Sequence, residues 1–133
     1  MCGIAGYVNS NGVLSEKLVL KNMTDSIAHR GPDGEGFFLE GNVALGHRRL
    51  SIIDLSERGA QPMHSDNKRF VLTYNGEVYN FKEIRSELIN LGYRFISETD
   101  SEVVLKAWQH WGKKSVNKFN GMFAFAIYDR KDG

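Results

Sequence analysis

The chain has one cysteine, two prolines and no long apolar run, and each shortage removes a class of protein. A lone cysteine, Cys2, cannot close an internal disulfide, so the frameworks of small secreted domains do not apply. The four histidines, His29, His47, His64 and His110, are dispersed and do not combine with that sulfur in a metal-ligand spacing, so no metal is expected. The longest apolar stretch, residues 122–128, falls far short of the roughly 20 residues that span a bilayer. No basic segment leads into an apolar one at the N-terminus, and the expected location is the cytoplasm. Neither charge sign dominates: 17 Lys and Arg against 16 Asp and Glu leave a net +1, with no footprint for nucleic acid or an anionic membrane. Repeats and proline-rich linkers are also lacking. What remains is a chain of 133 residues, 41% apolar and 25% charged, the size and balance of one globular domain or a piece of one.

The hydrophobic pattern predicts a mixed α+β chain. Residues 4–8 read as a short strand between glycines, and residues 15–30 as a helix with Val19, Met23 and Ile27 on one side beside Leu20. Residues 36–40 and 43–46 read as a hairpin about Gly41-Asn42, and 49–54 as a further strand. Residues 55–68 read as a loop. The run 69–74 is rich in β-formers and leads into Asn75-Gly76, a tight-turn pair. A helix is expected over 81–91, capped by Asn80 with Glu83 and presenting Phe81, Ile84, Leu88 and Leu91. A strand over 93–97 follows. The next helix starts after Thr99, paired with Glu102, and stops at Gly112, with Val103, Val104, Ala107, Trp108 and Trp111 inward. Residues 122–128 read as a buried strand, after which the chain looks cut in mid-hairpin.

Cys2 is the first chemical candidate. An initiator methionine is normally trimmed before a small residue, which would give Cys2 both a thiol and a free α-amine. Their reference pKa values, about 8.5 and about 7.7–8.0, let the amine accept the thiol proton near neutrality. One residue then supplies nucleophile and base. The bland alternative is a small apolar residue at a frayed start.

Six ordered blocks accompany it: C-G-I-A-G at Cys2, R-G-P-D at Arg30, H-R-R-L-S-I-I-D at His47, G-A-Q-P at Gly59, Y-N-G-E-V-Y-N at Tyr74 and T-D-S-E at Thr99. Together they resemble the glutaminase domain of class II glutamine amidotransferases, of the asparagine synthetase type. The resemblance implies an N-terminal-nucleophile hydrolase fold, an αββα sandwich of antiparallel sheets, apparently truncated at the C-terminus, with residues 1–133 as the glutaminase domain. It implies hydrolysis of L-glutamine to L-glutamate and ammonia through a Cys2 thioester.

The roles it implies can be checked against the chemistry each needs. Asn75 and Gly76 would form the oxyanion hole, through a side-chain amide and a backbone N–H. Arg49 would grip the substrate α-carboxylate with its planar fork, and Asp100 the α-ammonium. Ile52 and Ile53 would line the pocket, with Glu77 beside the oxyanion donors. Arg48 alternates to the opposite strand face and is not a candidate. R-G-P-D is expected to be structural, and His47 and His64 to be packing or surface residues. The family's synthetase domain, which uses ATP and Mg, is not in these residues, so no cofactor is expected in this domain. L-glutamine and that C-terminal synthetase domain are the expected partners. Two other readings stay open: a non-catalytic module of the same family that binds glutamine or a partner, and a glutaminase serving another acceptor.

Overall fold

A computed structural model describes residues 1–51 and 55–133. The chain runs β1 (Gly3–Val8), α1 (Lys17–Ser26), β2 (Gly34–Glu40), β3 (Val43–Arg49), β4 (Met63–His64), β5 (Phe70–Val78), α2 (Phe81–Asn90), α3 (Asp100–Trp111) and β6 (Gly121–Asp129). Short 3-10 turns sit at Ala28–Arg30, Glu57–Gly59 and Gly112–Lys118.

The strands form two antiparallel sheets of three, ordered β1-β3-β2 and β4-β5-β6. Alternation gives each sheet two apolar faces. Val43 and Leu45 of β3 meet Val71 of β5, with Phe38 and Tyr128 at the margin, so the sheets pack face to face. Leu20 and Thr24 of α1 cover the other face of the first sheet and come so close to Gly46 that a Cβ there would lie 2.6 Å from Thr24 Cγ2. Helices α2 and α3 cover the second sheet through Ile84, Leu88, Val103, Val104 and Ala107 against Phe70, Leu72 and Tyr74. This is the expected αββα order of layers.

Three polar contacts tie the sheets together. His47 Nε2 donates to the Tyr74 carbonyl at 3.0 Å, and the Thr73 hydroxyl donates to the Gly46 carbonyl at 2.9 Å. At the far end, Arg130 forks onto Glu40 at 2.7–3.1 Å.

Several expected elements are corrected. The first helix is shorter, and its buried stripe is Leu20 and Thr24, leaving Val19 exposed. Arg49 closes β3 instead of opening a new strand, and residues 52–54 of that expected strand lie outside the described residues. Asn75-Gly76 is no turn. Strand β5 runs through it to Val78, with Asn75 opposite Ala124 and Gly76 opposite Phe123, because the long β6 offers a continuous partner. Asn80 does not cap α2 with its side chain. It donates to the Lys118 carbonyl and accepts from the Asn120 N–H, clamping the entry to β6. Leu91 is exposed beyond α2. Residues 93–97 form no strand, since the Glu102 carboxylate takes the Ile96 and Ser97 N–H groups. Thr99 does cap α3, accepting from the Glu102 N–H. The expected buried strand β6 is an edge strand of half-buried and exposed residues, Met122 among the latter.

His47 sets a pH limit on this packing. It is 1% exposed, and burial pulls its pKa from 6.5 down to about 4. The unfolded ring takes up a proton more readily, so its contribution is complete above pH 6.5 and is lost as pH falls toward 4. Between pH 7 and pH 5 the neutral ring should cost roughly 2 kcal/mol of stability. Urea unfolding at both values, on the parent and on His47→Gln, checks this. The variant should show a smaller acid loss, and equal losses would contradict the assignment.

Candidate functional site

The register of β1 and β3 builds one wall. Gly3 pairs with Arg48 and Ile4 with His47. Paired residues share a face, so Ile4 and His47 point toward the second sheet while Arg48 points toward α1. Arg48 bonds there to the Thr24 carbonyl and to the carboxylates of Asp25 and Glu35, at 2.7–3.1 Å. Carried one residue further, the same register brings Cys2 opposite Arg49. The Cys2 sulfur is held by Leu50, accepting from its N–H at 3.2 Å and lying 3.5 Å from its carbonyl oxygen.

R-G-P-D braces this corner. Arg30 Nε donates to the Cys2 carbonyl at 3.1 Å. Asp33 donates its N–H to the Arg49 carbonyl and accepts from the Ser51 N–H with its carboxylate, both at 2.9 Å. A Cβ on Gly31 would lie 2.3 Å from the Arg48 carbonyl carbon, so the turn hugs β3.

The Arg49 guanidinium reaches the turn before β4, where Nη1 donates to the Ser56 carbonyl at 2.7 Å. Gly59 admits it: a Cβ there would lie 2.6 Å from Arg49 Nη2. Gln61, the third residue of G-A-Q-P, accepts from the Tyr74 N–H with Oε1 at 2.7 Å. That bond extends the ladder of β5 beyond the two residues of β4.

Asp100 sits at the start of α3, 8% exposed. Its Oδ2 accepts from the Tyr74 hydroxyl at 2.7 Å and from the Val78 N–H at 3.1 Å. Burial and the nearby Asp100 carboxylate push the Tyr74 phenol far up, so it stays the donor.

One pocket collects these elements. Cys2, Arg49, Gly76, Glu77 and Asp100 all line it, with Met1, His47, Gln61 and Tyr74 among their neighbours. Asn75 is not among its walls. By alternation it shares the inter-sheet face with Thr73, and its Oδ1 is buried without a partner among the described residues. Ile52 and Ile53 lie outside the described residues. A Cβ on Gly76 would lie 2.4 Å from the Met122 carbonyl oxygen, so β6 can pass here only over a glycine. The pocket can thus hold a small molecule between a thiol, a cation and a carboxylate. Leu50, Gln61 and Tyr74, which shape it, had no assigned role in the sequence, and Arg30 only a structural one; the motif blocks that contain all four were the only signal.

Comparison with known proteins agrees with this architecture. The model of the glutamine amidotransferase domain family matches residues 1–133. Asparagine synthetase [glutamine-hydrolyzing] 1 of Bacillus subtilis is 39% identical over 135 residues, 99% of this chain and 21% of that protein. Asparagine synthetase B [glutamine-hydrolyzing] of Escherichia coli is 39% identical over 131 residues, 97% of this chain and 23% of that protein. This chain therefore spans about a fifth of the length of these curated relatives. Among solved structures, a glutamine phosphoribosylpyrophosphate amidotransferase from B. subtilis, complexed with ADP and GMP, superposes with a TM-score of 0.78 at 20% identity, covering 98% of this chain and 35% of that one. That likeness concerns the fold. With its whole length matched, the chain belongs to the glutamine amidotransferase domain family, among relatives that are asparagine synthetases.

Proposed function

We propose that residues 1–133 act as a glutaminase domain that hydrolyses the side-chain amide of L-glutamine to L-glutamate and ammonia. One observation carries the reading: Cys2, Arg49, Gly76 and Asp100, far apart in the sequence, line a single pocket. The Cys2 sulfur attacks the amide carbon and forms a thioester. The thiol proton passes to the leaving nitrogen, which departs as ammonia, and water then cleaves the thioester to glutamate. The base is the Cys2 α-amine, freed when Met1 is removed; with Met1 retained, Met1 itself forms part of the pocket wall.

Negative charge gathers on the carbonyl oxygen during attack, and donors aimed at it lower the barrier. Gly76 offers a backbone N–H from the pocket wall for that role; the resemblance adds the Asn75 side-chain amide, which must turn from the inter-sheet face to reach the oxygen. Arg49, oriented by the Ser56 carbonyl, takes the α-carboxylate, and Asp100 the α-ammonium. Glu77 lines the same pocket next to Gly76, and Ile52 and Ile53, outside the described residues, are assigned to substrate binding by the resemblance alone. The ammonia serves an asparagine synthetase-like, ATP-dependent amide-forming reaction in a partner synthetase domain, where ATP and Mg bind. The setting is cytoplasmic. No helix among the described residues is long and apolar enough to cross a membrane.

Cys2→Ala should lower glutamate formation at least about a thousandfold, because no other residue can form the thioester. A coupled glutamate assay reads this, and retained turnover contradicts the mechanism. Gly59→Val should displace the Arg49 fork by filling the space beneath it. Steady-state kinetics should show KM for glutamine raised about tenfold with kcat within about threefold, since the binding end is disturbed and not the thiol.

A further inference from the structure

Tyr74 meets three elements of the site at once. Its N–H donates to Gln61 Oε1, its carbonyl accepts from His47 Nε2, and its hydroxyl donates to Asp100 Oδ2. The residue is 3% exposed, so its ring is packed in the core beneath the second sheet. The next residue in the chain is Asn75.

The hydroxyl contact bears on recognition. A carboxylate has two oxygens and roughly four acceptor positions. In Asp100 both protein donors, the Tyr74 hydroxyl and the Val78 N–H, fall on Oδ2. Oδ1 has no protein partner among the described residues, and Asp100 lines the pocket. Two bonds to a single oxygen fix the rotation of the carboxylate and leave the other oxygen for a ligand cation. A backbone N–H alone would hold Oδ2 at one point and leave the group free to rotate.

We propose that Tyr74 is a positioning residue for ligand selectivity: its hydroxyl locks Oδ2 of Asp100 so that Oδ1 meets the α-ammonium of the amino-acid substrate. The proposal rests on the glutaminase reading for the identity of the ligand. Tyr74 touches no reacting atom in this role and acts through Asp100. The selectivity it confers is for an α-amino acid amide over the same amide without the α-amine.

Calorimetric binding on the Cys2→Ala chain tests this without turnover. The two probes are L-glutamine and glutaramate, which keeps the amide and carboxylate but lacks the ammonium. The parent should prefer glutamine, and Tyr74→Phe should cut that preference about tenfold by weakening glutamine while glutaramate binding stays within about twofold. Tyr74→Phe that weakens both ligands equally would overturn the proposal, since a purely structural tyrosine gives that result. Unchanged or increased preference would overturn it too. A parent chain that binds neither probe would sink the glutaminase reading itself, which keeps the two failures distinct. Asp100→Asn should lose the preference alongside Tyr74→Phe, and an Asp100→Asn chain that still discriminates would overturn the route through Asp100.

Discussion

The site hangs on the pairing of the two sheets across the His47–Tyr74 and Thr73–Gly46 hydrogen bonds. Strand β3 carries Arg49 and, through its register with β1, brings Cys2 beside it. Strand β5 carries Tyr74, Asn75 and Gly76. A slip of one residue in either strand would turn these side chains away from each other. The bond made by His47 is sensitive to that register, because it joins one buried ring nitrogen to one named carbonyl. Its cost is a buried imidazole held neutral, with Nδ1 lacking a partner among the described residues.

Charge is partitioned across the strands in the same way. The two adjacent arginines of β3 point to opposite faces. Arg48 neutralises Asp25 and Glu35 over α1, while Arg49 enters the pocket under the Ser56–Gly59 turn. The opposing charge, Asp100, comes from the start of α3, where Thr99 caps the helix. A cation and an anion thus reach the same pocket from separate layers. Each is held in orientation by its own scaffold, Arg49 by the Ser56 carbonyl and Asp100 by Tyr74 and Val78. The thiol lies beside them, held by Leu50 and braced through Arg30.

Much of this was legible in the chain. The ordered motif blocks pointed to the family, the helix starting after Thr99 is where its capping residues put it, and alternation separated Arg48 from Arg49. Misreadings came where distant partners overruled local signals. Asn75-Gly76 has the composition of a hairpin turn, yet β6 pairs straight across it. Asn80 and Glu83 have the spacing of a capping box, yet Asn80 bonds to the entry of β6. Residues 93–97 have strand-like composition, but Glu102 captures their N–H groups.

Local chemistry along the chain marked the candidate groups: the one thiol, one arginine on the proper strand face and a carboxylate behind a helix cap. Those properties depend on a few neighbouring residues. Tertiary structure alone decided that these groups meet, that Gln61 extends the ladder of β5, and that Tyr74 joins His47 to Asp100. Such contacts link residues 13 to 27 positions apart, through strands and helices whose mutual placement is set by packing, and no local pattern encodes them.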